Sequence, residues 1–383
     1  MRRVLHGLTL VLLTLSCGGS PSNGPSQIAP PGNQTSSDPV FDPSIPISIE
    51  TLVRFRDLET GSTWNTKGEA TNGPLKGQRL EQIPSYTAYW FAWASFWPNT
   101  EVYGDRSTDG LREARVQQPV PTREIFADVP ADAIPPLDAP PKDVGRAEFI
   151  EASAVTDLDD EAIVVGVEIE GDARAYPTGI LNLHEIVNHT VGGKRISLTY
   201  CPLTASGINF DGSAIEFGNS GALFNNNLVM YNRNTRDLWS QMRTYGISGQ
   251  DVGRRTDLLP VVQGTWAGWK AMYPDTKVLS TSTGYRRNYR RDIYIDRQYT
   301  VSNEIWFAQE PEIDTRFHPK EMTLGLLSPT RSKAYPFVSL GDGGVTNDLF
   351  DGRPILIVFN PRAKMAIPYS RVVENRVLTF ERL

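Results

Sequence analysis

The sequence predicts a mostly β fold, a β-rich α+β class, built by tandem duplication of one unit. Three observations support this prediction. Two sets of residues recur at a nearly fixed spacing along the chain. Short alternating apolar segments are separated by glycine turns, which is typical of β-hairpins. Only brief stretches have the spacing of an amphipathic helix.

The first repeated set, which we call unit A, recurs 159 positions later without a gap. Its first copy runs from Gly166 to Pro202, and its second runs from Gly325 to Pro361. Residues 164–177 read as two strands around a Gly-Asp turn, and residues 195–200 read as a further strand. Residues 179–187 have the spacing of a helix with one buried face.

The second repeated set, unit B, is carried by tryptophan pairs on short predicted helices. Trp90 and Trp93 recur as Trp266 and Trp269, 176 positions later. The order B-A-B-A predicts copy one at 47–222, copy two at 223–383 and pseudo-twofold symmetry, with 130–141 as a Pro-rich insertion in copy one. Because the tryptophans recur at the spacing of core residues, we interpret them as packing residues rather than a sugar-binding platform.

The first residues predict export. Residues 1–17 combine two arginines, a short apolar run and small residues, as in a signal peptide. The sequence before Cys17 resembles a lipobox, which predicts lipidation of Cys17; cleavage without a lipid is the alternative. Residues 18–46 are rich in Gly, Ser, Pro and Asn and read as a disordered tether. We therefore expect an exported, membrane-anchored lipoprotein of the bacterial cell envelope, in the outer membrane or facing the periplasm.

Charge and cysteine content restrict the function further. The net charge is -6, and no long basic run is present, which argues against a nucleic-acid partner. The chain has two cysteines. If Cys17 is used in processing, Cys201 has no disulfide partner, so its thiol is either buried and inert or retained for chemistry.

The reactive side chains concentrate in one stretch of copy one. His184 and Glu185 open a run that resembles the H-E-x-x-H zinc motif, but Asn188 occupies the position of the second histidine and His189 follows one residue late. Five residues of helix turn His189 by about 140° from His184, so we reject a zinc-protease site.

Cys201 follows this stretch and begins the sequence Cys201-Pro202-Leu203-Thr204. Backbone amides and the Thr204 hydroxyl could stabilise a thiolate there, which nucleophiles and soft-metal ligands require. We predict Cys201, His184 and Glu185 as catalytic residues, with Cys201 and His184 as the ligands of a soft metal in the alternative. In the second copy, Gly343, Gly344 and Asn360 replace His184, Glu185 and Cys201. Only one copy can therefore hold the site.

Several strings resemble a bacterial family catalogued as domain of unknown function 3179. They are His184-Glu185-Ile186-Val187-Asn188, Thr199-Tyr200-Cys201-Pro202-Leu203-Thr204, Asn227-Leu228-Val229-Met230-Tyr231, Leu238-Trp239-Ser240-Gln241 and Pro319-Lys320-Glu321. The resemblance covers about residues 145–380. It implies exported or lipoprotein members and no established activity, and it favours His184 over His189 as the imidazole of the site.

Three functions follow as hypotheses. The first is an extracytoplasmic thiol site, in which His184 orients Cys201 for redox or acyl-transfer chemistry. The second is capture of a soft transition metal such as Cu(I), since thiolate and imidazole suit such ions. The third is a non-catalytic envelope protein that binds a partner or glycan. No other cofactor is evident from the sequence.

Overall fold

Strands dominate the structure. A computed structural model describes residues 52–111, 119–121, 124–127, 129–141, 145–307 and 313–383. Its content is 41% strand and 12% helix, which confirms the mostly β class. The predicted signal peptide, Cys17 and the predicted tether lie outside the described residues, which belong to one compact unit from Pro46 to Leu383. Within the described residues, no helix combines the length and apolar character needed to cross a membrane.

The elements are short and follow one another closely. The first group is β1 (Phe55–Asp57), β2 (Thr63–Trp64), β3 (Ala70–Asn72), β4 (Tyr86–Tyr89), α1 (Trp90–Phe96), β5 (Glu101–Val102), β6 (Ile125–Ala127), β7 (Leu137–Asp138) and β8 (Phe149–Glu151). The second group is β9 (Ile163–Ile169), β10 (Asp172–Pro177), α2 (Thr178–His184), β11 (Ile186–Val191), β12 (Lys194–Cys201), β13 (Ser206–Asp211), β14 (Phe217–Phe224), β15 (Asn227–Asn232), β16 (Leu238–Ser240), β17 (Tyr245–Gly246), β18 (Leu258–Leu259), β19 (Val262–Thr265), α3 (Trp266–Met272) and β20 (Lys277–Leu279). The third group is α4 (Ile293–Asp296), β21 (Met322–Leu327), β22 (Ser332–Pro336), β23 (Gly344–Phe350), β24 (Arg353–Asn360), β25 (Met365–Ser370), β26 (Val372–Val373), β27 (Arg376–Val377) and β28 (Phe380–Arg382).

The sheets form two sets. We call the described residues between 119 and 307 the central half, and residues 52–111 together with 313–383 the terminal half. The central half contains sheets in the orders β19-β9-β10-β20-β8, β18-β13-β12-β11-β7 and β17-β16-β15-β14-β6. The terminal half contains β4-β21-β22-β5, β23-β24-β25 and β28-β1-β2-β3. Each sheet of one half therefore has a sheet of similar order in the other.

Each tryptophan-bearing segment pairs with the unit A strands of the other predicted copy. In the terminal half, β4 is antiparallel to β21 with Tyr86 opposite Gly325. In the central half, β19 is antiparallel to β9 with Val262 opposite Gly166. The B segment of the first predicted copy thus pairs with the A segment of the second, and the B segment of the second pairs with the A segment of the first.

The insertion at 130–141 adds to the central half instead of forming a separate loop. Its strand β7 pairs in parallel with β11, with Leu137 opposite Val187. The nearby strand β6 pairs with β14. Among the described residues, the terminal half has no strand at the position of β7 or β6. The first unit A is therefore extended by residues that precede it in the sequence.

The tryptophans are core residues, as the sequence predicted. Trp93 and Trp269 are almost completely buried on α1 and α3. Their indole nitrogens donate hydrogen bonds of 3.0 Å to Thr100 and Thr276, respectively. Burial of these large rings, with their N–H groups satisfied, fixes each short helix on its sheet.

The helix predicted at 179–187 is shorter than expected. Helix α2 ends at His184, and Glu185 follows in the left-handed conformation, with φ 57°. From Ile186 the chain continues as β11. The β-branched residues at 186 and 187 favour a strand, and their pairing with β12 outweighs the helical spacing.

We expect Gly166→Ala to destabilise the protein by about 2–3 kcal/mol, because a Cβ there would overlap the buried Trp269 indole. Denaturant unfolding measures the change. Gly193→Ala is the comparison, since its Cβ would meet open space and only its positive φ of 78° opposes the change, at about 1 kcal/mol. Equal losses for both variants would contradict the packing role of Gly166.

Candidate functional site

Cys201 ends β12 and is completely buried. It belongs to the apolar cluster that contains the aromatic side chains of α1. Its sulfur donates a 3.6 Å hydrogen bond to the carbonyl of Asn226. The thiol is therefore enclosed by protein, in a cluster to which both halves contribute.

The surroundings of Cys201 favour the protonated thiol. Burial, followed by the neighbouring carboxyl of Glu185, raises the pKa of the Cys201 thiol to about 11. The Thr204 hydroxyl and the backbone amides of Thr204 and Leu228 act in the opposite direction. These donors would stabilise a thiolate once it formed.

Glu185 is brought to Cys201 by the end of α2. The Glu185 N–H bonds to the Leu181 carbonyl, and the Glu185 carbonyl accepts a 2.7 Å hydrogen bond from the Tyr200 N–H. The second bond places Glu185 beside the C-terminal end of β12. The Glu185 carboxyl accepts a hydrogen bond from the Asn219 amide at 2.5 Å. Burial raises the pKa of this carboxyl to about 8, although the Asn219 bond opposes the change.

His184 points elsewhere. Its Nδ1 lies 2.7 Å from the Pro135 carbonyl, and its Nε2 lies 2.7 Å from the Tyr289 hydroxyl. Because a carbonyl can only accept, Nδ1 carries the proton and Nε2 accepts from Tyr289. Burial, as the largest cause, lowers the pKa of His184 to about 4, so the ring is neutral at neutral pH. Both nitrogens are used in these bonds, and neither bonds to Cys201.

His189 packs among aromatic side chains, and the residue at the matching position of the terminal half has a similar partner. Its Nε2 is hydrogen-bonded to Tyr176, and its ring stacks on Phe149 at 4.8 Å. Burial lowers the pKa of His189 to about 3. In the terminal half, Tyr335 donates a 2.9 Å hydrogen bond to Asp348 at the matching position. The helix does end between the two histidines, but their rings are held by different partners.

A buried polar network lies beside Cys201, and the sequence reasoning did not identify it as a unit. Asn227 donates to the side-chain oxygen of Gln241 at 2.6 Å and to Thr204 at 3.0 Å. The Gln241 amide donates to Thr199 at 2.9 Å. Ser206 bonds to both Thr204 and Gln241. These side chains are fully buried and tie β12, β13, β15 and β16 together.

Residues 285–307, which we call the covering segment, lie over the site. Tyr299 donates to the Leu203 carbonyl at 2.9 Å, and the Phe307 N–H donates to the Asn226 side chain at 2.9 Å. Burial, followed by the charges of Glu185 and Cys201, raises the pKa of the Tyr294 hydroxyl.

Lys320 closes the same region from the terminal half. Its ammonium lies 3.2 Å from the centre of the Tyr299 ring, with Tyr89 and Phe91 near it, and donates to the Glu304 carbonyl at 2.7 Å. Burial lowers the pKa of Lys320 to about 7. The Pro-Lys-Glu string at 319–321 was the only sequence signal for this residue.

Neither a metal centre nor the open surface depression adds to the site. No group of three or more His, Cys, Asp or Glu side chains that could hold an ion occurs among the described residues. An open depression of about 500 Å³ is lined by hairpin-turn residues such as Glu168 and Lys194, and by Leu259. Its lining includes neither Cys201 nor Glu185.

The geometry defines a β-rich protein with a buried thiol and a buried carboxyl side by side under a covering segment. The chain belongs to the family described as protein of unknown function (DUF3179), whose model matches residues 31–100 and 131–383. This confirms the resemblance and extends it towards the N-terminus. No significant match was found among curated proteins or among solved structures.

We expect the free energy of unfolding to fall as the pH drops from about 6.5 towards 4. Both buried histidines have a folded pKa below the ordinary 6.5, so the stability they contribute is present above that value and is lost on acidification. Replacing His184 or His189 with Gln should flatten this dependence by about 1–3 kcal/mol. The exposed His318, changed to Gln, is the control. If the free energy of unfolding depends on pH as steeply in both buried variants as in the unchanged chain, the two histidines are not the cause of the dependence.

Proposed function

We propose that this chain is an exported lipoprotein whose site carries out covalent chemistry at one thiol. Cys201 is the nucleophile, and Glu185 is the group that takes up and returns its proton. Among the residues predicted from the sequence, Glu185 replaces His184 in the acid–base role. His184 becomes a positioning residue that holds the end of α2 and the covering segment together through Pro135 and Tyr289.

The observation that carries the proposal is the retention of Glu185 at an unfavourable position. The residue has a positive φ, which costs a non-glycine residue about 1–2 kcal/mol. Its carboxyl is also buried, and no basic side chain in the described part of the chain forms an ion pair with it. The matching residue of the terminal half is Gly344, also at positive φ. Folding alone therefore favours glycine at this position.

The proton step follows from the neighbours of the sulfur. The Cys201 proton passes to the ionised Glu185 carboxylate, and the amides of Thr204 and Leu228 stabilise the thiolate. In acyl transfer, the sulfur–carbon bond forms as the bond to the leaving group breaks, and the Glu185 carboxylic acid then protonates that group. A carboxyl pKa of about 8 keeps both protonation states available near neutral pH.

The duplication is part of the proposal. We infer that the two halves descend from one B-A unit whose copies, at 47–222 and 223–383, exchanged their B segments. The matching sheet orders and the equivalent pairings of Gly166 and Gly325 support this. One copy then gained or kept the site residues, while the other carries Gly343, Gly344 and Asn360 in their place.

We expect the rate at which a small neutral alkylating reagent modifies Cys201 to rise with a midpoint near pH 8, where Glu185 ionises. Glu185→Gln should remove this midpoint and slow the reaction at pH 8–9 at least about tenfold. If Glu185 acted only as a neighbouring negative charge, its removal would lower the pKa of the Cys201 thiol and accelerate the reaction. The direction of the change in rate therefore distinguishes a general base from a neighbouring charge. Mass spectrometry of quenched samples measures the rate.

Glu170→Gln is the matched control, since Glu170 is an exposed glutamate that also has a positive φ, 50°. It should leave the profile unchanged. Modification of Cys201 only after denaturation would sink the thiol proposal and favour a non-catalytic envelope protein. A bound transition metal that disappears in Cys201→Ser would favour the soft-metal alternative.

For export and anchoring, we expect the protein made in a bacterial host to enter the membrane fraction and to incorporate labelled fatty acid. Cys17→Ser should abolish the label, because the thioether link requires the cysteine sulfur. Cys201→Ser is the control and should retain it. Label that persists in Cys17→Ser, or an unlabelled secreted protein, would rule out the lipid anchor.

A further inference from the structure

The covering segment also carries a local positive charge, which takes no part in its contacts with the site. Residues 286–301 contain five arginines and two aspartates, a formal charge of +3 in a chain whose net charge is -6. Arg286, Arg290, Arg291 and Arg297 are exposed. A local positive charge on an acidic protein indicates a surface that meets an anionic partner.

The ion pairs of this segment do not cancel its charge. Arg290 lies 3.3 Å from Asp157, and Arg291 lies 2.7 Å from Asp296, with both arginine side chains more than half exposed. Exposed pairs of this kind contribute about 0–1 kcal/mol and are readily exchanged for other partners. Arg286 and Arg297 form no ion pair among the described residues.

Exposed aliphatic side chains accompany the arginines. Val301 is 70% exposed, the highest value for a large apolar side chain among the described residues, and Ile295 is 62% exposed. Ile293 is also exposed. Arginines with protruding aliphatic side chains are the combination by which a segment rests in the interface of an anionic bilayer.

We propose that residues 286–301 form a docking surface for an anionic lipid bilayer. The inference rests on the proposed lipid anchor for its setting. Cys17 lies 29 residues before Pro46 (46 minus 17), and even a fully extended chain of that length spans only about 100 Å. An anchored protein would therefore remain close to the bilayer, where a weakly binding surface is sufficient.

The docking surface and the site share one segment. Tyr289 bonds to His184, and Asp292 accepts a 2.8 Å hydrogen bond from Asn182, so the inner side of the segment is attached next to Glu185. Arg287 also faces inward and donates to the Leu183 carbonyl, whereas the other four arginines and the aliphatic residues are exposed. Bilayer contact would bring the covered thiol towards substrates at the membrane surface.

The test is co-sedimentation of residues 18–383, made without lipid, with vesicles of phosphatidylglycerol and phosphatidylcholine or of phosphatidylcholine alone. We expect binding to the anionic vesicles only, with loss of binding at about 1 M salt. The Arg286→Glu and Arg297→Glu double variant should lower the partition coefficient at least about tenfold, and Ile295→Ser with Val301→Ser at least about fivefold.

The matched controls lie in the terminal half. Arg106→Glu with Arg353→Glu, and Val338→Ser with Leu349→Ser, change exposed residues of the same types and should leave binding unchanged. Equal binding to both vesicle types, no binding to either, or equal losses in the control variants would overturn the proposal. So would retention on an anionic polysaccharide without vesicle binding.

Cys201→Ser separates this inference from the proposed chemistry. Its vesicle binding should match that of the unchanged chain, because the thiol is buried away from the docking surface. Vesicle binding with an inert Cys201 would leave the docking surface intact and remove only the thiol function. A reactive Cys201 without vesicle binding would do the reverse.

Discussion

The structure depends on strand pairing between segments that are far apart in the chain. Gly325 accepts Trp93, and Gly166 accepts Trp269, where no side chain larger than hydrogen fits. Each contact joins a B segment to a unit A sheet and helps to fix the short helix on it. Because β4 pairs with the C-terminal β21, the two ends of the described chain complete one half together. The central half is then held between them.

This arrangement explains why Cys201 is buried so completely. Helix α1 belongs to the terminal half by its pairing, yet its aromatic side chains share a cluster with Cys201 of the central half. Lys320 and Tyr299 meet from the two halves above the same region. The thiol thus lies at the junction of the two halves. A small shift of one half relative to the other would therefore change the surroundings of Cys201 more than a change within either sheet.

The sequence could predict the scaffold but only part of the site. The recurrence of the tryptophan pairs predicted that they are packing residues, and the structure buries them. The sequence could not show whether a B segment pairs with the unit A strands of its own copy or of the other copy. Either pairing gives the same spacing of the repeated residues along the chain. Residue type predicts His184 as the partner of Cys201, but a hydrogen bond to Tyr289, 105 residues later, sets the orientation of its ring. The sequence does predict Glu185 as a site residue. Its position at the end of α2, however, depends on its own left-handed backbone conformation.

The difference between the halves separates stability from chemistry. A buried glutamate at positive φ opposes stable folding, and the terminal half has glycine there. Asn360 uses its side chain to accept hydrogen bonds from the Arg362 and Ala363 amides, as a turn residue does. The equivalent turn in the central half instead directs amides at a sulfur. The same backbone turn thus binds an asparagine side chain in one half and presents donors to a buried thiol in the other.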